Sequence, residues 1–76
     1  MMPVYLTHVD TGRNMARFYT MRVQPTLFGE CAVVREWGRI GKGGQVRETQ
    51  HTTPQEAQAF AAQILRQKVR KGYKIM

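Results

Sequence analysis

Seventy-six residues make one domain, able to bury only ~60% of its unfolded surface and too small for a deep active-site cavity. A hydrophobic fraction of 42% excludes a disordered tail, while a net charge of +7 and a pI near 10.4 call for a polyanionic partner, nucleic acid or acidic membrane, unless they serve solubility alone. The single cysteine, Cys31, excludes an internal disulfide, and nothing approaches the eighteen apolar residues of a spanning helix.

Met1-Met2-Pro3-Val4-Tyr5-Leu6 has no charged leader and no long apolar stretch, so no signal peptide is expected and the cytoplasm is the default compartment. Val4 to Asp10 is a β-rich run of strand length. Thr11-Gly12-Arg13-Asn14 supplies turn residues, and Met15 to Gln24, with Arg17-Phe18-Tyr19 inside it, reads as a second, antiparallel strand. Pro25 and the Leu27-Phe28-Gly29-Glu30 loop close it, because proline cannot donate to a ladder.

The third strand, Cys31 to Ile40, contains the stretch that organises the chain, Arg35-Glu36-Trp37-Gly38-Arg39. Side chains alternate along a strand, so Arg35, Trp37 and Arg39 share a face and two guanidinium groups flank one indole. An indole offers a flat plate to a base or sugar, and arginine offers planar donors to phosphate oxygens. A lone Trp is also a good core residue, and Cys31 and Val33 share its face. Burying that face would carry two arginines inward, so Trp37 is expected to face solvent, with Ala32, Val34, Gly38 and Ile40 facing the core. A bulge at Gly38 would break this alternation.

Gly41-Lys42-Gly43-Gly44 is read as a hairpin turn in preference to a phosphate cradle around Lys42, since the P-loop spacing is missing. Gln45 to His51 is a polar fourth strand, suited to an edge. Thr53-Pro54-Gln55-Glu56 then opens a helix: Thr53 as cap, Pro54 in the first position, Glu56 completing a capping box. Ala57, Phe60, Ala61, Ile64, Leu65 and Lys68 form one stripe, which should cover the sheet. Gly72 is the expected helix stop, with Tyr73 and Ile75 folding back onto the core. No acid follows Glu56, whereas Arg66, Lys68, Arg70, Lys71 and Lys74 do, more cations than a helix dipole asks for. They form a second basic patch. The fold class is α+β, a small antiparallel sheet of four or five strands with one long C-terminal helix on one face, all in a single domain over residues 1–76.

Catalytic chemistry is hard to assemble from this chain. His8 and His51 are far apart in sequence, no Cys/His/Asp cluster has metal-ligand spacing, and the five acids are scattered. Cys31 is read as a core residue in preference to half of a Cys–His dyad. Neither enzymatic activity nor a cofactor or metal is expected.

Trp37-Gly38-Arg39 in this context resembles the WGR domain, a module of DNA-dependent poly(ADP-ribose) polymerases and of many bacterial proteins. The resemblance covers nearly the whole chain: Arg17-Phe18-Tyr19, Trp37-Gly38-Arg39-Ile40-Gly41, Gln45, Glu56-Ala57, Phe60, Lys68 and Gly72-Tyr73 all follow the family pattern in order. It implies an antiparallel sheet crossed by one helix and a role in binding DNA near breaks. The tryptophan, here Trp37, would pack on a terminal nucleotide sugar, and the arginine, here Arg39, would help join DNA to neighbouring domains. Asn14 lies just ahead of the Arg17-Phe18-Tyr19 strand, near where the polymerases place a DNA-contacting asparagine, with a different spacing. No catalytic domain to relay to is expected within these 76 residues, so the resemblance implies binding and not ADP-ribosyl transfer.

The expected function is therefore a non-catalytic nucleic-acid-binding module, for DNA before RNA, ends or breaks included, with little sequence preference. The expected contacts are Trp37, Arg39, Arg35, Lys42, Asn14, Arg17, Lys71 and Lys74. The alternative is a protein-interaction module whose Trp37 surface receives another protein. Membrane attachment is disfavoured, because the helix's apolar stripe is needed to cover the sheet. The oligomeric state stays open.

Overall fold

Among the described residues five segments are extended and two are helical: β1 (Val4–Asp10), a 3-10 turn (Thr11–Arg13), β2 (Met15–Pro25), β3 (Cys31–Arg39), β4 (Gln45–His51), α1 (Pro54–Arg70) and β5 (Lys74–Ile75). The computed structural model describes residues 3–76; Met1 and Met2, with which the uncharged N-terminal stretch begins, lie outside the described residues. The strands form one antiparallel sheet in the order β4-β3-β2-β1-β5. The α+β class and the helix on one face are as the sequence predicts. No helix among the described residues is long and apolar enough to cross a membrane.

α1 starts where the capping signal sits. Thr53 Oγ1 accepts the Glu56 N–H at 3.1 Å, and Pro54 occupies the first turn. The reciprocal half of the capping box is not made, because the Glu56 carboxylate takes the Thr52 hydroxyl at 2.8 Å instead. At the other end Gly72, at φ +110°, turns the chain so that the Tyr73 N–H reaches the Lys68 carbonyl at 3.0 Å. Tyr73 then packs against the core, and Lys74–Ile75 pair with β1 as the fifth strand.

Leu6, Tyr19, Met21, Cys31 and Val33 meet Ala57, Ala61 and Ile64 to form the core. Ala57 and Ala61 bring the helix backbone close to the sheet, and full burial of Leu6, Met21 and Val33 stabilises by about 1.5–3 kcal/mol each.

The sidedness of β3 differs from expectation. Its ladder with β2 runs unbroken from Cys31 to Arg39, so no bulge intervenes and Arg35, Trp37 and Arg39 do share a face. That face, however, is the one the helix covers, with Cys31 and Val33 beneath α1. Arg35 tolerates this because its guanidinium lies over the Phe60 ring, 5.4 Å from the centroid, and its Nη1 donates to Tyr19 Oη at 3.4 Å. On the opposite face Ala32 and Val34 are buried without a helix. Their cross-strand neighbours are long polar side chains, Gln24 and Gln50 beside Ala32, Arg22 and Glu48 beside Val34, whose stems close over the smaller residues.

Candidate nucleic-acid interface

One row of the sheet on the helix side reads Gln45, Trp37, Tyr19, Leu6 across β4, β3, β2 and β1. Trp37 and Tyr19 are cross-strand partners whose rings stack at 5.8 Å between centroids and 18° between planes. Tyr19 is buried, whereas Trp37 keeps part of its indole exposed at the rim of the core. The outward-facing expectation for Trp37 is thus corrected: the indole stacks on Tyr19 against the core and presents only a remainder to solvent. The helix covers Val33 but leaves this end of β3 open.

The two glycines nearest Trp37 are there to let the backbone close in. A Cβ on Gly44 would lie 2.2 Å from the Trp37 carbonyl oxygen, and one on Gly38 would lie 2.9 Å from Gly44 Cα. The loop after β3 therefore folds onto the strand it leaves, which is the physical reason for a glycine between Trp37 and Arg39. The turn itself is closed by the Lys42 N–H donating to the Arg39 carbonyl at 3.0 Å, with Gly41 at φ +87°. That donor is spent on the turn and is not free to cradle a phosphate; Lys42 offers its exposed ammonium group.

Cations surround the aromatic pair. Arg35 lies on one side along β3, and Arg39 on the other, directly opposite Arg17 of β2. Arg39 is held in place by Asn14, its Nη1 donating to the Asn14 carbonyl at 3.1 Å and its Nη2 to Asn14 Oδ1 at 3.4 Å. Asn14 sits at φ +52° after the 3-10 turn, a left-handed conformation that asparagine accepts better than most residues. From the helix, the Lys68 ammonium lies 4.6 Å from the Tyr19 centroid and 5.5 Å from that of Tyr73. Partial burial lowers the Lys68 pKa from its ordinary value, and repulsion by Lys71, Arg35 and Arg17 lowers it further. Like charges facing each other across a ladder destabilise the fold, so an incoming anion would relieve repulsion here.

A concavity of about 350 Å³ opens beside this cluster, lined by His8, Arg13, Met15, Arg17, Lys68, Lys71 and Tyr73. Asp10 is the acid close by, and it is engaged by the Gly12 N–H at 3.1 Å and by Arg13 at 3.6 Å. His8 and Arg13 are site residues that sequence reasoning missed; the antiparallel register, which sets His8 against Arg17, carries the signal.

The predicted residues thus separate into groups. Trp37 and Arg35 touch Tyr19; Arg17 and Arg39 form the next pair along the same face, with Asn14 on Arg39, and Lys71 lines the concavity with Arg17. Lys42 stands on the adjoining turn. Lys74 is set apart: on β5 it pairs with Thr7 of β1, so its side chain belongs to the opposite face of the sheet. Cys31 lies opposite His51 in the β3–β4 ladder, but the His51 ring is engaged by Thr49 Oγ1 at 3.0 Å and by Phe60.

The model of the WGR domain family matches residues 2–75 of this chain. The chain belongs to the WGR domain family. The uncharacterized protein y4dW of Sinorhizobium fredii (strain NBRC 101917 / NGR234) is 39% identical to it over 71 residues. That match takes in 93% of this chain and 35% of y4dW, so this WGR domain corresponds to about a third of its relative's length. No solved structure matches the chain. Trp37-Gly38-Arg39, the tripeptide that names the family, lies at the rim of the aromatic and cationic cluster, where the sheet emerges from beneath the helix.

Proposed function

We propose that this WGR domain is a non-catalytic nucleic-acid-binding module that takes DNA in preference to RNA, ends and breaks included, with little dependence on sequence. The observation that carries the reading is the row of Arg35, Arg39 and Arg17 beside the Trp37–Tyr19 stack, in which Trp37 is partly exposed, with Lys68 over Tyr19 and Lys71 lining the concavity shared with Arg17. The cations suit backbone phosphates, and the open edge of the indole suits the sugar or base at a strand terminus. Asn14 holds the Arg39 guanidinium through two of its nitrogens and so reduces the ordering cost of meeting a phosphate.

With about four phosphates neutralised, log K should fall against log salt with a slope of about −3.6, a loss of roughly 150-fold between about 50 and 200 mM. Titration of blunt, nicked and single-stranded oligonucleotides, followed at the Trp37 indole N–H by NMR, tests the reading. Shifts at Trp37 and Arg39 that are largest with ends or nicks support it. Shifts confined to Lys71 and Lys74 would remove the Trp37 surface from the interface. A partner protein retained by the domain after nuclease treatment, and lost with Arg39→Ala, would assign the surface to protein recognition.

A further inference from the structure

The face of the sheet that α1 leaves open collects most of the exposed apolar side chains. Strand alternation places Tyr5, Val9, Ile40 and Val46 there, all of them exposed. At one end the β2–β3 loop adds Leu27 and Phe28, 98% and 88% exposed, which border a groove of about 500 Å³ with Gln24, Glu48 and Gln50. Tyr5 stacks on Phe18, whose ring reaches over Gly38 and Gly44 towards Val46, so these form one cluster, separated from the Leu27–Phe28 loop by the Arg22–Val34–Glu48 row. Scattered apolar residues are normal on a monomer, but clusters gathered on one face mark an interaction surface.

The charge of this face identifies what it can meet. Arg22 and Lys74 are balanced by Glu36 and Glu48, so it carries no cationic excess although the chain has a net charge of +7. A polyanion gains little here. Two copies of the chain repel one another through their cationic surfaces and not through this one. Arg22 and Glu48 flank Val34 on either side, so a two-fold axis running along β3 sets Arg22 of one copy against Glu48 of the other. The molecule is a slab of 45 × 24 × 15 Å, and its broad face offers a footprint comparable to the ~800 Å² that each partner contributes to a standard stable complex.

We infer that the open face is a homodimer interface, two copies packing sheet on sheet with their helices outward. The core of that interface is Tyr5, Val46 and the Leu27–Phe28 loop, and Arg22–Glu48 pairs set its register. The same axis brings the two Glu36 carboxylates together, a repulsion that Glu36→Gln removes.

Sedimentation equilibrium of the nucleic-acid-free chain over a wide concentration range tests this. A reversible monomer–dimer equilibrium is expected. Phe28→Asp combined with Val46→Glu should weaken it by about tenfold or more while leaving thermal unfolding of the monomer intact, since both side chains are exposed. Glu36→Gln should tighten it, and Arg39→Ala, on the other face, should leave it unchanged. A monomer at every concentration, or a dimer indifferent to the Phe28/Val46 double substitution, overturns the inference. Either result leaves the nucleic-acid reading of the Trp37 face standing.

Discussion

Trp37 lies almost parallel to Tyr19, its partner across the β3–β2 ladder, and the contact joins the half-exposed indole to the buried core. Trp37→Ala therefore has two consequences. It should weaken DNA binding by ~1–3 kcal/mol through loss of stacking, and it should lower stability by a similar amount through loss of the Tyr19 contact. Trp37→Phe separates the two, retaining most of the stability while giving up the indole's reach. Fluorescence anisotropy with a labelled nicked duplex, on variants first checked by thermal unfolding, measures both; full affinity in a folded Trp37→Ala protein would exclude stacking.

Arg39 and Asn14 act as a unit. Arg39→Ala should reduce the salt slope by about one phosphate equivalent, from about −3.6 to about −2.7. Asn14→Ala removes the side-chain oxygen that takes Nη2 but keeps the backbone carbonyl that takes Nη1, so the guanidinium is held by one bond in place of two. Affinity should drop modestly while the slope stays near its original value. Binding isotherms at four or five salt concentrations distinguish the outcomes, and an unchanged slope in Arg39→Ala would place that side chain outside the phosphate contacts.

Two neighbouring glycines should respond in opposite ways. A Cβ at Gly44 collides with the Trp37 carbonyl, so Gly44→Ala should cost roughly 1–3 kcal/mol and displace the indole. A Cβ at Gly43 meets nothing within 4 Å, and Gly43→Ala should be neutral or stabilising by up to about 1 kcal/mol. Urea denaturation compares them directly, and equal midpoints would contradict the close packing of the loop on β3.

Lys68 should make stability depend on pH in the alkaline range. Its folded pKa is lowered, by burial first and then by Lys71, Arg35 and Arg17. Between that lowered value and the unfolded value of 10.5, the unfolded chain binds the extra proton, so this residue's contribution to stability rises as pH rises through that window. Lys68→Gln should flatten the difference, read from unfolding midpoints of both proteins at several pH values. DNA phosphates stabilise the ammonium, so within that alkaline window binding should be accompanied by proton uptake, measurable by calorimetry in buffers of different ionisation enthalpy.

Much of this architecture is written locally in the chain. Thr53-Pro54 and Gly72 bound the helix by backbone chemistry that needs no distant partner, and the alternation from Cys31 to Arg39 correctly joins Arg35, Trp37 and Arg39. The side of the sheet that receives α1 is a tertiary choice. An isolated strand pattern assigns two arginines to water, whereas the fold lays Arg35 on Phe60 and ends the helix cover before Arg39. His8 and Arg13 are not legible in the sequence for the same reason, since their approach to Lys68 and Lys71 requires the β1–β2 register and the path of the helix together. The neighbours of Lys74 in sequence point to the basic patch, and one strand pairing moves it to the other face.

Cys31 is the chain's sole thiol, and it lies in the core beneath α1 with 9% of its surface exposed. Alkylating reagents can reach it freely only when the helix lifts from the sheet. Its labelling rate is therefore a built-in clock for that opening, readable without adding a probe. A bound duplex that bridges Lys71 on the helix and Arg39 on the sheet should slow the clock, whereas one held by the sheet alone should leave it running at the same pace.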